Sequence, residues 1–306
     1  MKKTFASELE NLMQNEDTYL LTGDLGFSMF ENIKERYRSR YVNMGLSEQN
    51  MIGVAAGMAL AGKNVFVYSI IPFLIYRPFE HVRNDICYQN LPVKLMGAGA
   101  GFVYSDAGYT HHSIEDYGIL SSLPNIVILS PSDPLEVSKI MHQINDINNP
   151  VYVRLAQNGA PNLHSEDLDF VIGKAIKLLD GDDVLIVTSG TILKTAVQAA
   201  EVFDKAGLSV TLLEYHTIKP FDEESLVKNA DGKKAIITIE EHVSVNGLYS
   251  IVLQVLNKRH AGFNIIPFGI NKPLDIRSGS QEFMKGIYGL ESESIYRATI
   301  KKLGVL

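Results

Sequence analysis

Short, nearly continuous apolar runs alternate with stretches of helical periodicity along the first half of the chain. The runs are TYLLTGD (18–24), NVFVYSII (64–71), PVKLMGAGAG (92–101), NIVILSP (125–131) and PVYVRLA (150–156). Helical spacing falls between them, over 48–62, 77–90, 114–121 and 133–147. Runs rich in Val, Ile and Leu without alternation predict strands buried on both faces, as in a parallel sheet with crossover helices. The alternation resumes after 182, with strands at 183–190, 209–215, 234–241 and 263–270 and helices at 191–206, 222–229, 247–259 and 291–303. The pattern predicts an α/β protein of two three-layer α/β/α domains, 1–160 and 182–306. The polar, turn-rich stretch 161–181 reads as the linker between them.

Composition narrows the function classes. Hydrophobic residues make up 46% of the 306 and charged ones 21%, as in ordinary globular domains. The net charge of −7 argues against a nucleic-acid or anionic-membrane surface. A single cysteine, Cys87, excludes an internal disulfide and a cysteine-rich metal site. The opening MKKTFASELENLMQNED lacks the apolar core of a signal peptide, so a cytoplasmic protein is expected.

Candidate chemistry gathers in YVNMGLSEQNMIGVAAGMALAG, 41–62. Glu48 stands there between a polar turn and a helix of small residues, Gly53, Ala55, Ala56, Gly57, Ala59, Ala61 and Gly62. Small residues admit a close neighbour, either a flat ligand or another backbone. Two readings stay open for Glu48, a carboxylate held against a ring and a solvated acid at a helix start. Phe73, Tyr76 and Phe79 fall at three-residue spacing, so in a helix they share a face, which suits either core packing or a planar ligand. Asp24 ends a strand and fits either a site or a plain turn. His111 and His112 fit either a site titrating near neutrality or a polar helix start; their setting does not suggest a metal site.

Several blocks in fixed order carry a family resemblance: G-x-S-E-Q-N-M (45–51), F-L-x-x-R (73–77), Q-N-L-P-V (89–93), T-H-H (110–112) and L-P-N-x-x-x-L-x-P (123–131). This stretch resembles the pyrimidine-binding domain of transketolases, and the second half resembles their C-terminal domain. The resemblance implies transfer of a two-carbon ketol unit between sugars with thiamine diphosphate as cofactor. It implies that Glu48 shares a proton with the aminopyrimidine ring, that Phe73, Tyr76 and Phe79 pack on it with Tyr76 foremost, and that Asp24 lies nearby. His111 is implied to face the substrate, with His112, Gly99, Asp106 and Gln157 around it. Departures from the family pattern at Gly99, Ala107, Tyr109 and Gln157 imply a reshaped sugar pocket and a modified sugar substrate. Glu240, Glu241 and His242, in a segment resembling the family's E-E-H-x-x-x-G-G, are implied to be structural or interfacial.

No G-D-G occurs, and Asn148-Asn149 stands in an unrelated place, so the Mg²⁺ and diphosphate half of the cofactor site is not encoded here. The resemblance is to the beta-type subunit of a split transketolase, the C-terminal section, with no metal ligand of its own. An N-terminal-type partner carrying G-D-G and N-N would hold the Mg²⁺ in an α2β2 assembly with a shared cofactor site. Three other readings compete: the beta subunit of a 2-oxo-acid dehydrogenase, a subunit like deoxyxylulose phosphate synthase, and an inactive scaffold.

Overall fold

The structure is a computed structural model and describes residues 1–156, 161–258, 262–273 and 275–304. These residues form two compact units, one of residues 1–100 and 119–168, the other of residues 101–118 and 169–306. Residues 101–118, inside the span expected to be the first domain, thus cluster with the second unit.

In the first unit, β1 (Thr18–Thr22), β2 (Tyr41–Asn43), β3 (Asn64–Ile70), β4 (Lys94–Ala98), β5 (Val127–Leu129) and β6 (Val151–Leu155) pair in the order β5-β6-β4-β3-β1-β2. Every one of these pairings is parallel. Both faces of the central strands are covered: all five residues of β4 and β6 are buried, Lys94 and Arg154 among them. That double burial is why the sequence shows nearly continuous apolar runs where a half-exposed strand would alternate. From β1 the chain goes to one side for β2 and then back past β1 to β3. The carboxyl ends of β1 and β3 therefore flank a topological switch point, where open α/β sheets leave a crevice.

In the second unit, β7 (Ile176–Leu179), β8 (Val184–Thr188), β9 (Val210–Glu214), β11 (Ala235–Val243) and β12 (Ile265–Ile270) pair in the order β12-β11-β8-β9-β7. A short β10 (Thr217–Lys219) follows β9 in the chain. Pairing is parallel except for β7 against β9. Strand β7 lies in the stretch read as a linker without a strong strand. Its Ile-Lys-Leu-Leu alternates between half-buried and exposed, the habit of an edge strand, and four residues leave little pattern to detect.

Elsewhere the structure adds elements that the periodicity left out. The helix Lys2–Leu12 buries Phe5 and Leu9, four residues apart beneath a charged face. The helix Glu31–Arg36 and strand β2 are too short to announce themselves. Among the described residues no helix is long and apolar enough to cross a membrane.

One buried acid ties the first unit's turns together. Asp133 caps the helix Pro134–Gln143 by accepting from the Glu136 N–H at 2.9 Å, and its other oxygen accepts from the Leu163 and His164 N–H groups at 2.7 and 3.0 Å. His164 Nδ1 stands 2.9 Å from that same oxygen. Burial pushes the Asp133 carboxyl up, but these hydrogen bonds outweigh it and hold the group below its ordinary 3.8. A depressed folded value stabilises the fold above the unfolded pKa and is lost as pH falls through the folded one. Urea titrations of Asp133→Asn should show reduced stability at pH 7 and a shallower loss between pH 5 and 3 than the parent chain.

Candidate functional site

Glu48 is the first residue of the helix Glu48–Leu60, which follows β2 and leads into β3. Ser47 occupies the N-cap position without a side-chain cap hydrogen bond, so the helix start is left to its own N–H groups and to an acid in the first turn. Glu48 is 1% exposed, which rules out the solvated reading. Its Oε2 accepts from Arg77 Nη1 at 2.7 Å, whereas its Oε1, buried as well, has no hydrogen-bond partner among the described residues. Ser69 Oγ, on β3, is likewise buried and has no hydrogen-bond partner among the described residues. Both oxygens converge on Gly23, just past β1: they lie 3.4 and 3.5 Å from where a Cβ on Gly23 would stand. Two bare polar atoms thus flank Gly23 at the carboxyl ends of β1 and β3.

Arg77 comes from the segment that carries the aromatic residues. The sequence reads as helical there, and the structure winds it more loosely, with π-helical turns at Pro72–Tyr76 and Val82–Tyr88 around a short α-turn at Phe79–His81. Pro78 has no N–H to give the Leu74 carbonyl, so the α-ladder cannot run through it; the Arg77 N–H instead reaches back five residues to the Pro72 carbonyl at 3.2 Å. Three-residue spacing therefore does not align Phe73, Tyr76 and Phe79 as an α-helix would. Each of the three is half-buried. The Arg77 guanidinium lies 4.6 Å from the Phe73 ring centroid, and its side chain is 47% exposed. The cation is thus held by a ring on one side and a buried carboxylate on the other.

Asp24 is exposed, in the left-handed region at φ 57°. It is engaged with Asn43: the Asp24 N–H donates to Asn43 Oδ1 at 3.0 Å and Asn43 Nδ2 donates to Asp24 Oδ1 at 2.8 Å. This reciprocal pair joins the ends of β1 and β2 and lines a cavity of about 150 Å³ with Phe30, Lys34 and Tyr41. Gly99, past the end of β4, is buried with φ 93° and donates its N–H to the Leu155 carbonyl at 2.8 Å.

The two histidines belong to the second unit and have different surroundings. His111 ends a 3-10 turn, Tyr109–His111, and is half-buried, with Nδ1 3.0 Å from Thr110 Oγ1. His112 is buried, its ring edge-on to Phe102 at 5.2 Å and to Tyr109 at 5.9 Å. Burial holds the His112 imidazole below its ordinary range. Asp106 is exposed in the 3-10 turn Ser105–Ala107. Gln157 lies outside the described residues. Sequence reasoning quoted Arg77 within F-L-x-x-R without giving it a role, and missed Ser69 and Asn43; the only available signal was a cation placed one residue after the foremost aromatic.

Three comparisons bear on this geometry. Residues 1–161 match the family described as transketolase, pyrimidine binding domain, and residues 173–295 match transketolase, C-terminal domain. The chain is 32% identical to a putative transketolase C-terminal section of Methanocaldococcus jannaschii, across 99% of this chain and 96% of that one. It is 33% identical to one of the subunits of the apulose-4-phosphate transketolase of Phocaeicola vulgatus, across 98% and 96%. A solved structure described as a split gene transketolase, inactive beta4 tetramer, superposes with a TM-score of 0.88 at 32% identity, covering 99% of this chain and 97% of that one.

The ion pair has a consequence for stability that separates its two members. Removing one partner of a fully buried pair costs about 3–5 kcal/mol because a charge is stranded. Arg77 is nearly half exposed, so Arg77→Met should lose about 1–3 kcal/mol in thermal or urea unfolding. Glu48→Gln strands only a cation that water can reach and should lose less, and the double variant should be more stable than Arg77→Met alone. A double-mutant cycle checks this; strictly additive losses would show that the contact is energetically idle.

Proposed function

Because the chain belongs to the transketolase family, with both its pyrimidine-binding and its C-terminal domain, we propose that it is the beta-type half of a two-chain enzyme moving a two-carbon ketol unit between sugars. The observation that carries this reading is the bare, buried Oε1 of Glu48 beside Ser69 Oγ at the sheet's switch point. An unpaired buried acceptor is costly, and a nitrogen-bearing ring would satisfy it. These residues fit the pyrimidine end of thiamine diphosphate, the cofactor on which the family depends. The diphosphate and Mg²⁺ find no G-D-G here and fall to an N-terminal-type partner in an α2β2 assembly, in the cytoplasm. The inactive state named for the similar beta4 tetramer accords with a chain that needs such a partner.

When bound, thiamine diphosphate supplies the carbon nucleophile that takes up the ketol unit. Glu48 holds a proton at the ring nitrogen through Oε1, the general-acid part of the chemistry. Arg77 fixes the other carboxylate oxygen and so orients the first. Half-buried Phe73, Tyr76 and Phe79 offer ring faces to exclude water from the pyrimidine, and Asp24, through Asn43, fixes the loop beyond β1. His111, half-buried and carrying the one side-chain type suited to proton exchange at neutral pH, passes protons to and from sugar hydroxyls. His112 next to it is buried, and Gly99, Asp106 and Gln157 are the further residues assigned here to recognition of a modified sugar; the relative named for apulose-4-phosphate accords with an unusual one. The exposed Gly53 and Gly57, where added Cβ atoms would meet nothing within 4 Å, leave one helix face open for a partner's backbone.

Calorimetry and a coupled ketol-transfer assay on the chain mixed with a G-D-G-bearing partner test the reading. The pair should bind thiamine diphosphate with Mg²⁺ and turn over, and the chain alone should not. Glu48→Gln in the reconstituted pair should lower turnover about 10²–10⁴-fold, the usual weight of a positioned proton donor. No cofactor binding by the pair would defeat the enzyme reading, and release of CO₂ from pyruvate would move the chain to a decarboxylating branch.

A further inference from the structure

The proposed role of His111 rests on a loop with little structure of its own. Between β4 and the short helix Asp116–Leu120 the chain makes two 3-10 turns and a single bridge, Gly101 to Ser113. Three consecutive polar residues of β11 hold this loop within the second unit. Glu241 Oε1 accepts from the Phe102 N–H at 2.6 Å, Glu240 Oε2 accepts from the Tyr117 hydroxyl at 2.7 Å, and the Gly118 N–H donates to His242 Nε2 at 3.3 Å. The His242 ring stacks on Tyr117 at 3.7 Å, and the next residue, Val243, donates its N–H to the Ile114 carbonyl at 2.8 Å. Successive residues of a regular strand face opposite ways, but a register shift between Ile239 and Val243 lets all three reach the loop.

Each anchor is itself fixed. Gln281 Nε2 donates to both oxygens of Glu241 at 2.9 and 3.0 Å, and Lys285 Nζ lies 3.7 Å away; both come from the helix Gln281–Tyr288. The same helix stacks Tyr288 on Phe102 with centroids 5.6 Å apart, and the Ser105 hydroxyl donates to the Gly279 carbonyl at 2.6 Å. Glu240 accepts in addition from the Leu248 and Tyr249 N–H groups at 2.7 and 3.0 Å, at the start of the helix Leu248–Asn257. The loop ends are cut to this pattern. A Cβ on Gly101, whose φ is +60°, would overlap the Glu241 carboxylate, and one on Gly118 would come within 2.9 Å of His242 Cε1. A carboxylate only 2% exposed is costly unless its acceptors are used, and Glu241 uses both oxygens, one on the loop and both on the supporting helix.

We propose that Glu241 is a positioning residue: acting through the Phe102 N–H, it sets the loop 101–118 and thereby the placement of His111 for proton exchange with the sugar. The proposal rests on the reading of His111 given above. Glu240 and His242 set the far end of the same loop, and the three together give the second unit a part in the reaction.

Hydrogen exchange of the full chain alone, together with kcat and KM of the reconstituted pair, tests this on Glu241→Ala, Glu241→Gln and His111→Ala. Glu241→Ala should speed exchange across 101–118 about ten-fold or more, as expected when a buried N–H loses its acceptor, while β8 and β9 keep their protection. Its kcat should fall with a rise in the sugar KM, at unchanged affinity for thiamine diphosphate. Glu241→Gln, which retains an acceptor for Phe102, should recover most of both effects. Unchanged loop exchange in Glu241→Ala, or a loss of protection spread over the whole second unit without rescue by Gln, would overturn the proposal. Faster loop exchange with kcat and KM intact would also overturn it: if His111→Ala is silent as well, the assignment of His111 is at fault, and if His111→Ala is impaired, Glu241 does not act through it.

Discussion

Glu48 is buried with one oxygen committed and the other bare, and the rest of the site is arranged about that imbalance. A desolvated carboxylate requires a counter-charge, which Arg77 provides from a loosely wound segment. The unmet Oε1 is not offset by any neighbour among the described residues, because Ser69 Oγ is itself without a partner. A fold that leaves two polar atoms unsatisfied at the switch point of its sheet carries a local instability suited to recognition. Local stability is therefore given up at this position, and Gly23, just past β1, keeps the space beside the two oxygens clear of a side chain.

The second unit contributes in a different way. Its sheet does not itself offer the half-buried imidazole; it supplies the rigid strand and helix against which the loop bearing that imidazole is fastened. Three buried polar residues side by side would be hard to justify in a domain that served only as ballast, since apolar residues fill a core at lower electrostatic cost. Their justification is a backbone that needs donors and acceptors at set places.

Much of this was legible in the residues. The nearly continuous apolar runs of β3, β4 and β6 announce a doubly covered parallel sheet, and the S-E-Q-N-M block marks the acid from sequence alone. Less visible were elements whose cause is not periodic. Strand β7 has four residues at a sheet edge, and the π-turn before Pro78 depends on a missing N–H, which shifts the aromatic residues off the face that three-residue spacing implies. The Arg77–Glu48 pair spans 29 residues and depends on where the two segments meet. The clamp on 101–118 joins residues well over a hundred positions apart, through a bulge that no local rule reveals.

Because 101–118 is folded with the second unit while the chain on either side of it belongs to the first, the polypeptide passes between the two units three times, near 100, 118 and 168. Such a chain is not two beads on a string. No single cut yields two self-sufficient pieces: a fragment ending near 168 keeps the loop but loses its anchor, and one starting near 169 keeps the anchor with nothing to hold. Recombination could exchange the halves of this protein only as a matched pair, so the loop and its clamp are bound to be inherited together.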